Sequence, residues 1–211
     1  MVGGPDLSAS SDASIYLVDG SERAVLIDAG TGTAFDKVRQ LIKKTNVSPA
    51  KISHLILTHC HVDHSAGIPQ FRKWFGLRII AHQRCADILE KGNDRRTGAA
   101  WYGIQLPAMN IDETFQGDDY RISVGDTELV CIYTPGHSPG SISVFLDRDG
   151  VRILFGQDIH GPILTELDSN EKLWQASLKR LLSLEADILC EGHYGIFQPR
   201  SEVTRFIESF L

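Results

Sequence analysis

The 211-residue sequence predicts an α/β fold in which two sheets pack together. Short apolar runs typical of buried strands alternate with amphipathic stretches typical of helices. Both halves of the chain begin with strands and then add helices, an order that favours helix-covered sheets. The composition, 42% hydrophobic and 23% charged, is ordinary for a globular protein. The length suits one domain spanning 1–211.

The pattern predicts each element in turn. Apolar runs predict strands at 13–18, 24–27, 54–57, 77–80, 129–133, 141–145, 151–155 and 187–189. Amphipathic spacing predicts helices at 33–44, 68–75, 83–91, 171–184 and 200–210. Ser169 is a candidate N-cap for the fourth helix, whose Leu173, Trp174, Leu178, Leu181 and Leu182 form a stripe typical of core packing.

Residues 92–116 match neither pattern. This segment carries Trp101, Tyr102, Pro107 and Met109 among polar residues. A connection this long inside one domain is usually a functional loop or lid. We therefore predict a lid or insert at 92–116, with Trp101 and Tyr102 as walls of a substrate pocket. Core filling by these two rings is the alternative.

Charge and composition limit the partners. The formal net charge is −6 and the isoelectric point is near 5.7, which argues against a nucleic-acid groove or an anionic membrane surface as the main partner. No apolar run is long enough to span a membrane, and residues 1–12 do not resemble a secretory signal. The four cysteines lack a C-x-x-C spacing, and we predict that they are reduced and serve as packing residues. We expect a cytoplasmic protein with a small-molecule substrate; a homo-oligomer is compatible with the sequence.

The segment from Thr58 to His64 places three histidines and an aspartate within six positions. Histidines packed this closely would be costly to bury unpaired and would repel one another if protonated. Neutral imidazoles around a cation remove both problems. His59 and His61 are two apart on an extended segment and point to the same side. Asp63 and His64 follow a turn and can face a second position.

Other ligand-type residues follow apolar strands. His137, Asp158 and His193 each come after such a strand and a turn, and Asp28 repeats the pattern. Loops after the carboxyl ends of strands in α/β sheets collect along one edge and form the functional crevice. We therefore expect five strand ends to deliver their side chains to one place.

The H-x-H-x-D-H run at 59–64, with His137, Asp158 and His193 in order behind it, resembles the metallo-β-lactamase superfamily over nearly the whole chain. The resemblance implies an αβ/βα four-layer sandwich with two metal ions at one edge of the two sheets. It assigns His59, His61 and His137 to the first metal, Asp63, His64 and His193 to the second, Asp158 to a bridging position, and Asp28 to the orientation of the ligand loop.

The ligand-type side chains indicate which metal ions the site would bind and how the charge would be balanced. Two divalent ions bring four positive charges, whereas Asp63 and Asp158 supply two negative ones, so a bridging hydroxide brings the site closer to neutrality. Imidazole-rich ligation favours transition metals over magnesium or calcium. We expect zinc, with iron or manganese as alternatives.

Within this superfamily the chain is closer to glyoxalase II-like hydrolases than to the antibiotic-degrading enzymes. Only 18 residues follow His193, too few for the helical substrate domain of glyoxalase II, which argues against glutathione thioesters. Asp158 follows Gly156-Gln157 instead of the commoner single glycine. Cys60 lies between two ligands and is expected to point away from the metals.

These features predict a dinuclear hydrolase that uses a metal-bridging hydroxide on an ester, thioester, lactone or related acyl substrate. Asp158 and Asp63 are the candidate catalytic residues, and Asp158 is expected to position the nucleophile. His160 is a candidate proton donor or a supporting histidine, and Tyr194 a candidate oxyanion donor or a packing residue. Two alternatives are a mononuclear-iron oxidoreductase resembling persulfide dioxygenases and a metal-bound binding or regulatory domain.

Overall fold

The computed structural model describes residues 1–92 and 94–211, and its strands form two sheets. The first sheet has the order β1-β2-β3-β4-β5, with β1 (Tyr16–Gly20), β2 (Arg23–Ile27), β3 (Ile52–Ile56), β4 (Arg78–His82) and β5 (Glu113–Phe115). The second has the order β11-β10-β9-β8-β7-β6, with β6 (Asp119–Val124), β7 (Thr127–Tyr133), β8 (Ile142–Arg148), β9 (Val151–Gln157), β10 (Ile188–Glu191) and β11 (Ile196–Phe197). The α-helices of these residues are α1 (Phe35–Lys43), α2 (Val62–Ser65), α3 (Ile68–Phe75), α4 (Gln83–Leu89), α5 (Glu171–Leu182) and α6 (Arg200–Glu208).

The central strands of the first sheet are buried on both faces. In β2, Val25 and Ile27 point into the core between the two sheets, whereas Leu26 points into the core under α1, α3 and α4. This division follows from the two-residue period of a strand, and it explains why such strands read as continuous apolar runs.

Helices α5 and α6 cover the outer face of the second sheet. Leu178 of α5 and Ile207 of α6 pack with Leu154 of β9 and Leu189 of β10. The layers therefore run helix, sheet, sheet, helix, which confirms the αβ/βα four-layer sandwich.

All eight predicted strands and all five predicted helices are present, with bounds shifted by a few residues. The missed strands, β5, β6 and β11, lie at sheet edges. Edge strands are short or half-exposed, so they lack the apolar run that marks a buried strand. Helix α2 was missed because it is a single turn inside the ligand segment.

The predicted N-cap at Ser169 is wrong. The side chain of Asn170 caps α5, because its Oδ1 accepts a hydrogen bond from the backbone N–H of Leu173 at 3.0 Å. The Ser169 hydroxyl instead donates to the backbone carbonyl of His137 at 2.6 Å. Serine and asparagine are both good caps, and the contact with the 135–140 loop decides between them.

The 92–116 segment divides into two parts, and its Asn93 lies outside the described residues. Short 3₁₀ turns at Arg95–Thr97 and Ala99–Tyr102 are followed by a stretch whose Leu106 and Met109 are buried in the core beneath the first sheet. The segment then ends in strand β5. The first part carries Trp101 and Tyr102, whose side chains are both exposed.

Strand direction brings the ligand-bearing loops together. Strands β2, β3, β4 and β5 are mutually parallel, and β9 and β10 are parallel in the other sheet. Their carboxyl ends therefore share one edge of the sandwich. The backbone N–H of Ile142 donates to the carbonyl of Thr58 at 2.9 Å, which joins the two sheets at that edge.

Two further sequence predictions concern the cysteines and a membrane span. Cys60, Cys85, Cys131 and Cys190 are all buried and unbridged. In the described part of the chain, no helix has the length and hydrophobicity needed to cross a bilayer.

The packing of α3 can be tested with two aromatic residues on one helix. Phe71 is fully buried and contacts the ring of Phe35, whereas Trp74 is 48% exposed and stacks under the Arg39 guanidinium. Phe71→Ala is expected to lower the free energy of unfolding by about 3–5 kcal/mol through lost burial and a cavity. The control Trp74→Ala is expected to lower it by about 0.5–1 kcal/mol. Urea unfolding measures both values, and equal losses would contradict this placement of α3.

Candidate metal centre

The predicted ligand residues lie in four loops at one edge of the sandwich. His59, His61, Asp63 and His64 follow β3, and the last two belong to α2. The other three follow strands of the second sheet: His137 after β7, Asp158 after β9 and His193 after β10. The strands end where the apolar runs end, so each ligand-type side chain leaves the sheet at a fixed position.

The first group consists of His59, His61, His137 and Asp158, all buried, with donor atoms within 4.8 Å of one another. The Nδ1 atom of His61 lies 3.0 Å from Nε2 of His59 and 2.8 Å from Nε2 of His137. The Oδ2 atom of Asp158 lies 3.3 Å from Nε2 of His137. Three imidazole nitrogens and a carboxylate oxygen therefore point at one spot.

The second group consists of Asp63, His64 and His193, again within 4.8 Å. Nε2 of His193 lies 3.3 Å from Oδ2 of Asp63. Asp158 also reaches this group, with its Oδ1 3.1 Å from Nε2 of His64 and its Oδ2 3.4 Å from Nε2 of His193. One carboxylate thus contacts both groups, as a bridging residue would.

The hydrogen-bonding capacity of these atoms suits a cation. The Nδ1 atoms of His59 and His137 lie 3.1 Å from the Thr58 hydroxyl and 2.9 Å from the carbonyl of Pro162. Because those Nδ1 atoms donate there, the Nε2 atoms carry lone pairs in the neutral rings. One hydrogen on His61 Nδ1 cannot satisfy both neighbours, so lone pairs face each other unless a cation lies between them.

Two more atoms support the same fit. Nε2 of His64 and Oδ1 of Asp158 are buried and lie 3.1 Å apart, but neither makes a well-aligned hydrogen bond to the other or to another described residue. Buried polar atoms are rarely left unpaired, because the desolvation cost is about 1–3 kcal/mol for each. The two atoms belong to different ligand groups and lie where the groups meet, and a divalent ion there would pair with them.

Burial and neighbouring charge divide the histidines into two kinds. Burial, reinforced by the neighbouring imidazoles, holds the pKa of His59 well below its ordinary value and lowers the pKa of His61 to about 3. Burial also lowers the pKa of His193, but hydrogen bonds to Asp158 and Asp63 outweigh it and raise the pKa to about 10. The pKa of His64 is likewise raised by Asp158 and Asp28 against the effect of burial.

The carboxylate between the groups is held ionised. Burial alone would raise the pKa of Asp158, but His64, His137 and His193 outweigh burial and hold that pKa well below its ordinary range. The ionised form is the one in which a carboxylate coordinates a metal.

Asp28 lies behind the ligands, at the end of β2. Its Oδ2 accepts a hydrogen bond from Nδ1 of His64 at 2.7 Å, and its Oδ1 accepts from the backbone N–H of Thr58 at 2.8 Å. The Thr58 hydroxyl donates to Oδ2 at 2.8 Å. One carboxylate therefore fixes the ring of His64 and the start of the ligand segment, and it leaves His64 Nε2 for the metal.

A cavity of about 260 Å³ opens onto the two groups. Its base is polar and its walls are largely apolar: it is lined by His61, Val62, Asp63, Thr97, Gly98, Trp101, Tyr102, His137, Asp158, His160, Pro162, Leu167 and His193. Trp101 and Tyr102 are 60% and 44% exposed, so neither ring fills the core. Burial and the nearby carboxylates of Asp63 and Asp158 raise the pKa of Tyr102 to about 12.

The remaining pocket candidates, His160 and Tyr194, are placed differently. His160 lines this cavity, whereas Tyr194 does not and borders a separate surface depression with Met1, Pro5 and Ser14. The ring of Tyr194 is 63% exposed and packs edge-on against His160. The structure therefore brings His160, but not Tyr194, to the candidate site.

Glu191 is the residue that sequence reasoning missed. It is the last residue of β10, and its side chain is fully buried. Its Oε1 lies 2.8 Å from Nδ1 of His160, and its Oε2 accepts the backbone N–H groups of His193 and Tyr194 at 2.6 and 2.9 Å. The sequence feature that could have indicated this role is a carboxylate directly after the apolar run of residues 188–190. An acid in such a position is often buried, and buried acids are rare without specific partners.

Comparison with known proteins agrees with this site. The family sequence model of the metallo-beta-lactamase superfamily matches residues 11–193 of this chain. The probable metallo-hydrolase YqgX of Bacillus subtilis is 27% identical over 186 residues, covering 86% of this chain and 84% of its own. The acyl-coenzyme A thioesterase MBLAC2 of Homo sapiens is 30% identical and covers 88% of this chain and 74% of its own.

Solved structures give the same fold. A metallo-beta-lactamase from Cronobacter sakazakii superposes with a TM-score of 0.80 at 22% identity, over 95% of this chain and 85% of its own. The subclass B3 enzyme BJP-1 of Bradyrhizobium japonicum gives 0.76 at 22% identity, over 94% and 84%. With its four-layer sandwich, its two ligand groups and a family match that spans most of its length, this chain belongs to the metallo-β-lactamase superfamily.

Proposed function

We propose that this protein is a dinuclear metal-dependent hydrolase of acyl substrates, with thioesters as the favoured class. The observation that carries the proposal is the position of Asp158, whose two carboxylate oxygens reach both ligand groups at the base of one cavity. A residue shared in this way is what a two-metal site requires, whereas a single tetrahedral site needs only three or four ligands.

The chemistry follows from the donor set. When bound, divalent transition-metal ions supply an activated water of pKa about 7 and polarise the carbonyl of the substrate. Asp158, ionised between the two groups, is placed to orient the attacking water. Asp63 holds the opposite side of the second group through His193. The imidazole-rich first group favours zinc over magnesium or calcium.

The walls of the cavity support an acyl substrate with an apolar portion. Val62, Trp101, Pro162 and Leu167 line it beside the polar base. Apolar walls with a few convergent polar groups are typical of small-molecule sites. The likeness to the acyl-coenzyme A thioesterase MBLAC2 supports a thioester in particular.

The second group has a complete set of ligands, which favours a dinuclear hydrolase over a mononuclear-iron oxidoreductase. Asp63, His64 and His193 are all present and converge. An enzyme with one iron would have no use for a second set of buried, mutually facing ligands, whose desolvation has a cost.

Metal content tests the dinuclear site. Protein reconstituted with zinc and freed of excess metal is expected to hold about two equivalents per chain, because two complete ligand groups are present. His193→Ala removes a ligand from the second group alone and is expected to retain about one equivalent. Elemental analysis gives both values. A wild-type content that never exceeds one equivalent would exclude the dinuclear model and favour the mononuclear oxidoreductase.

Replacement of Asp158 tests the shared carboxylate. Asp158→Ala is expected to lower kcat on a thioester by several orders of magnitude, because the group that orients the attacking water is lost. Its far-ultraviolet circular dichroism is expected to stay close to that of the wild type, since the residue lies in a loop outside the core clusters. The control Asp36→Ala removes a surface carboxylate on α1 and is expected to keep full activity. Near-normal turnover by Asp158→Ala would refute the shared role.

The aromatic wall is expected to set substrate preference. Aromatic rings that line a pocket contact the substrate about equally in the ground state and in the transition state. Removing them in the double variant Trp101→Ala, Tyr102→Ala should therefore raise KM more than it lowers kcat. For bulky apolar acyl groups, the expected loss in kcat/KM corresponds to ~1–3 kcal/mol. Steady-state kinetics on acetyl, hexanoyl and benzoyl thioesters measures the change in ranking. The control Trp74→Ala, on the exposed side of α3, should leave the ranking unchanged; an unchanged ranking in the double variant would mean that the rings do not contact the acyl group.

A further inference from the structure

We propose that Gln157 and Gly192 are positioning residues, which together allow the carboxylate of Asp158 to serve both ligand groups. Gln157 sets the direction in which Asp158 leaves β9, and Gly192 leaves free the space that the carboxylate occupies. The inference rests on the dinuclear site of the proposed function, and it concerns residues that shape the site without binding a metal ion.

Strand β9 contains a bulge directly before Asp158. Strands β9 and β10 pair residue for residue up to Phe155, but the next pair joins Gln157 to Glu191, so Gly156 is left out of this pairing. A bulge changes the direction of the side chains that follow it. This one accommodates the residue by which the segment before Asp158 exceeds the commoner single glycine.

Gln157 ends β9 in a left-handed backbone conformation, with a φ of 52°. For a residue with a side chain this conformation costs free energy, so the surrounding contacts must hold it. The carbonyl of Gln157 accepts hydrogen bonds from the backbone N–H groups of Ile159 at 2.9 Å and of Gly192 at 3.2 Å. The backbone therefore turns sharply before Asp158, and the second hydrogen bond ties the loop of Asp158 to the loop of His193.

The side chain of Gln157 contributes little to stability. The residue is buried, and its Oε1 atom has no hydrogen-bond partner among the described residues. An unpaired buried amide oxygen is unfavourable, because it has lost its hydrogen bonds to water. The side chain does not line the cavity either. What this position contributes to the site is therefore its backbone conformation.

Gly192 lies against the shared carboxylate. A Cβ atom at this position would lie 2.3 Å from Oδ1 of Asp158, which is far inside contact distance. The carboxylate has little room to move aside, because its Oδ2 lies 3.3 Å from Nε2 of His137 and 3.4 Å from Nε2 of His193. Oδ1 is also the oxygen that lies 3.1 Å from Nε2 of His64. A side chain at position 192 would therefore displace the oxygen that reaches the second group.

The two residues depend on one close contact between the loops. The Cβ atom that Gly192 lacks would also lie 3.2 Å from the carbonyl carbon of Gln157. Glycine suits a place where two backbone segments approach this closely. Gln157 thus directs Asp158 towards the ligand groups, and Gly192 lets both the loop and the carboxylate fit there.

Zinc binding by Gly192→Ala tests the space beside Asp158. The variant is expected to bind its second zinc ion about 10–100-fold more weakly, whereas the ion held by the three imidazoles of the first group changes little. Chelator competition with elemental analysis measures both affinities on the zinc-loaded protein. In the control Gly156→Ala, the added methyl group would meet the side-chain ends of Ile159 and Leu189 at 2.4 and 2.6 Å. That variant should have a lower melting temperature but bind both ions as the wild type does.

The same substitution in the Asp158→Ala protein separates this role from a general effect on the turn. Without the carboxylate, the methyl group at position 192 has no oxygen to displace. Gly192→Ala is therefore expected to cause no further loss of affinity for the second zinc ion in that background, because the two positions act through one contact. A further loss as large as in the wild type would show that the glycine serves only the turn of His193, and it would overturn the role assigned to Gly192.

Two substitutions of Gln157 separate its backbone from its side chain. Gln157→Gly adopts the left-handed conformation without strain, so it should keep both zinc ions and a melting temperature at or above that of the wild type. Gln157→Val is β-branched and disfavours this conformation, so it should bind the second zinc ion about tenfold more weakly. Loss of zinc from Gln157→Gly would overturn the backbone role. If Gln157→Val fails to fold, Gln157→Gly and the Gly192 variants still decide.

The zinc content of the wild type distinguishes this inference from the proposed function. A content that never exceeds one equivalent would overturn the dinuclear site, and this inference with it. Two equivalents in the wild type, together with unchanged zinc affinities in Gly192→Ala and Gln157→Val, would overturn only the positioning roles.

Discussion

The convergence of seven buried or nearly buried donor side chains is the constraint on which the rest of the structure depends. Three imidazole nitrogens of the first group lie about one hydrogen bond apart, yet too few hydrogens are available to pair them. Such an arrangement opposes folding unless a cation compensates it. The sandwich can hold it because strands of both sheets end at one edge, close to the ligands that follow them. The core between the sheets, rich in β-branched residues, makes that edge rigid.

Hydrogen bonds behind the ligands complete this rigidity. His64 is held by Asp28, His59 by the Thr58 hydroxyl and His137 by the carbonyl of Pro162. The loop of His137 is tied by Ser169, and that of His193 by Glu191. In each case the contact uses the atom that does not face the centre. These contacts within the protein hold the ligands in fixed orientations, which lowers the reorganisation that metal binding would require.

The walls of the cavity come from different parts of the chain than its base. Residues 97–102 and 160–167 provide the walls, and both stretches are loops or short 3₁₀ turns. Proteins with 22% identity share the sandwich, which shows that the fold tolerates extensive change in sequence. Specificity can change with these loops while the base is preserved. Glu191 and His160 join the two regions, since one carboxyl group holds both a ligand turn and a wall residue.

The sequence by itself determined the layered α/β fold and the set of ligand-type residues, because buried strands read as apolar runs and the 59–64 cluster has no packing explanation. It did not reveal β5, β6 or β11, since edge strands bury one face or are short, nor the cap at Asn170, which depends on where Ser169 makes its contact. Only the tertiary structure decided that Asp158 reaches both groups, that Tyr194 lies outside the cavity and that Glu191 is buried against His160. Those facts depend on contacts between residues distant in sequence, and local periodicity carries no information about them.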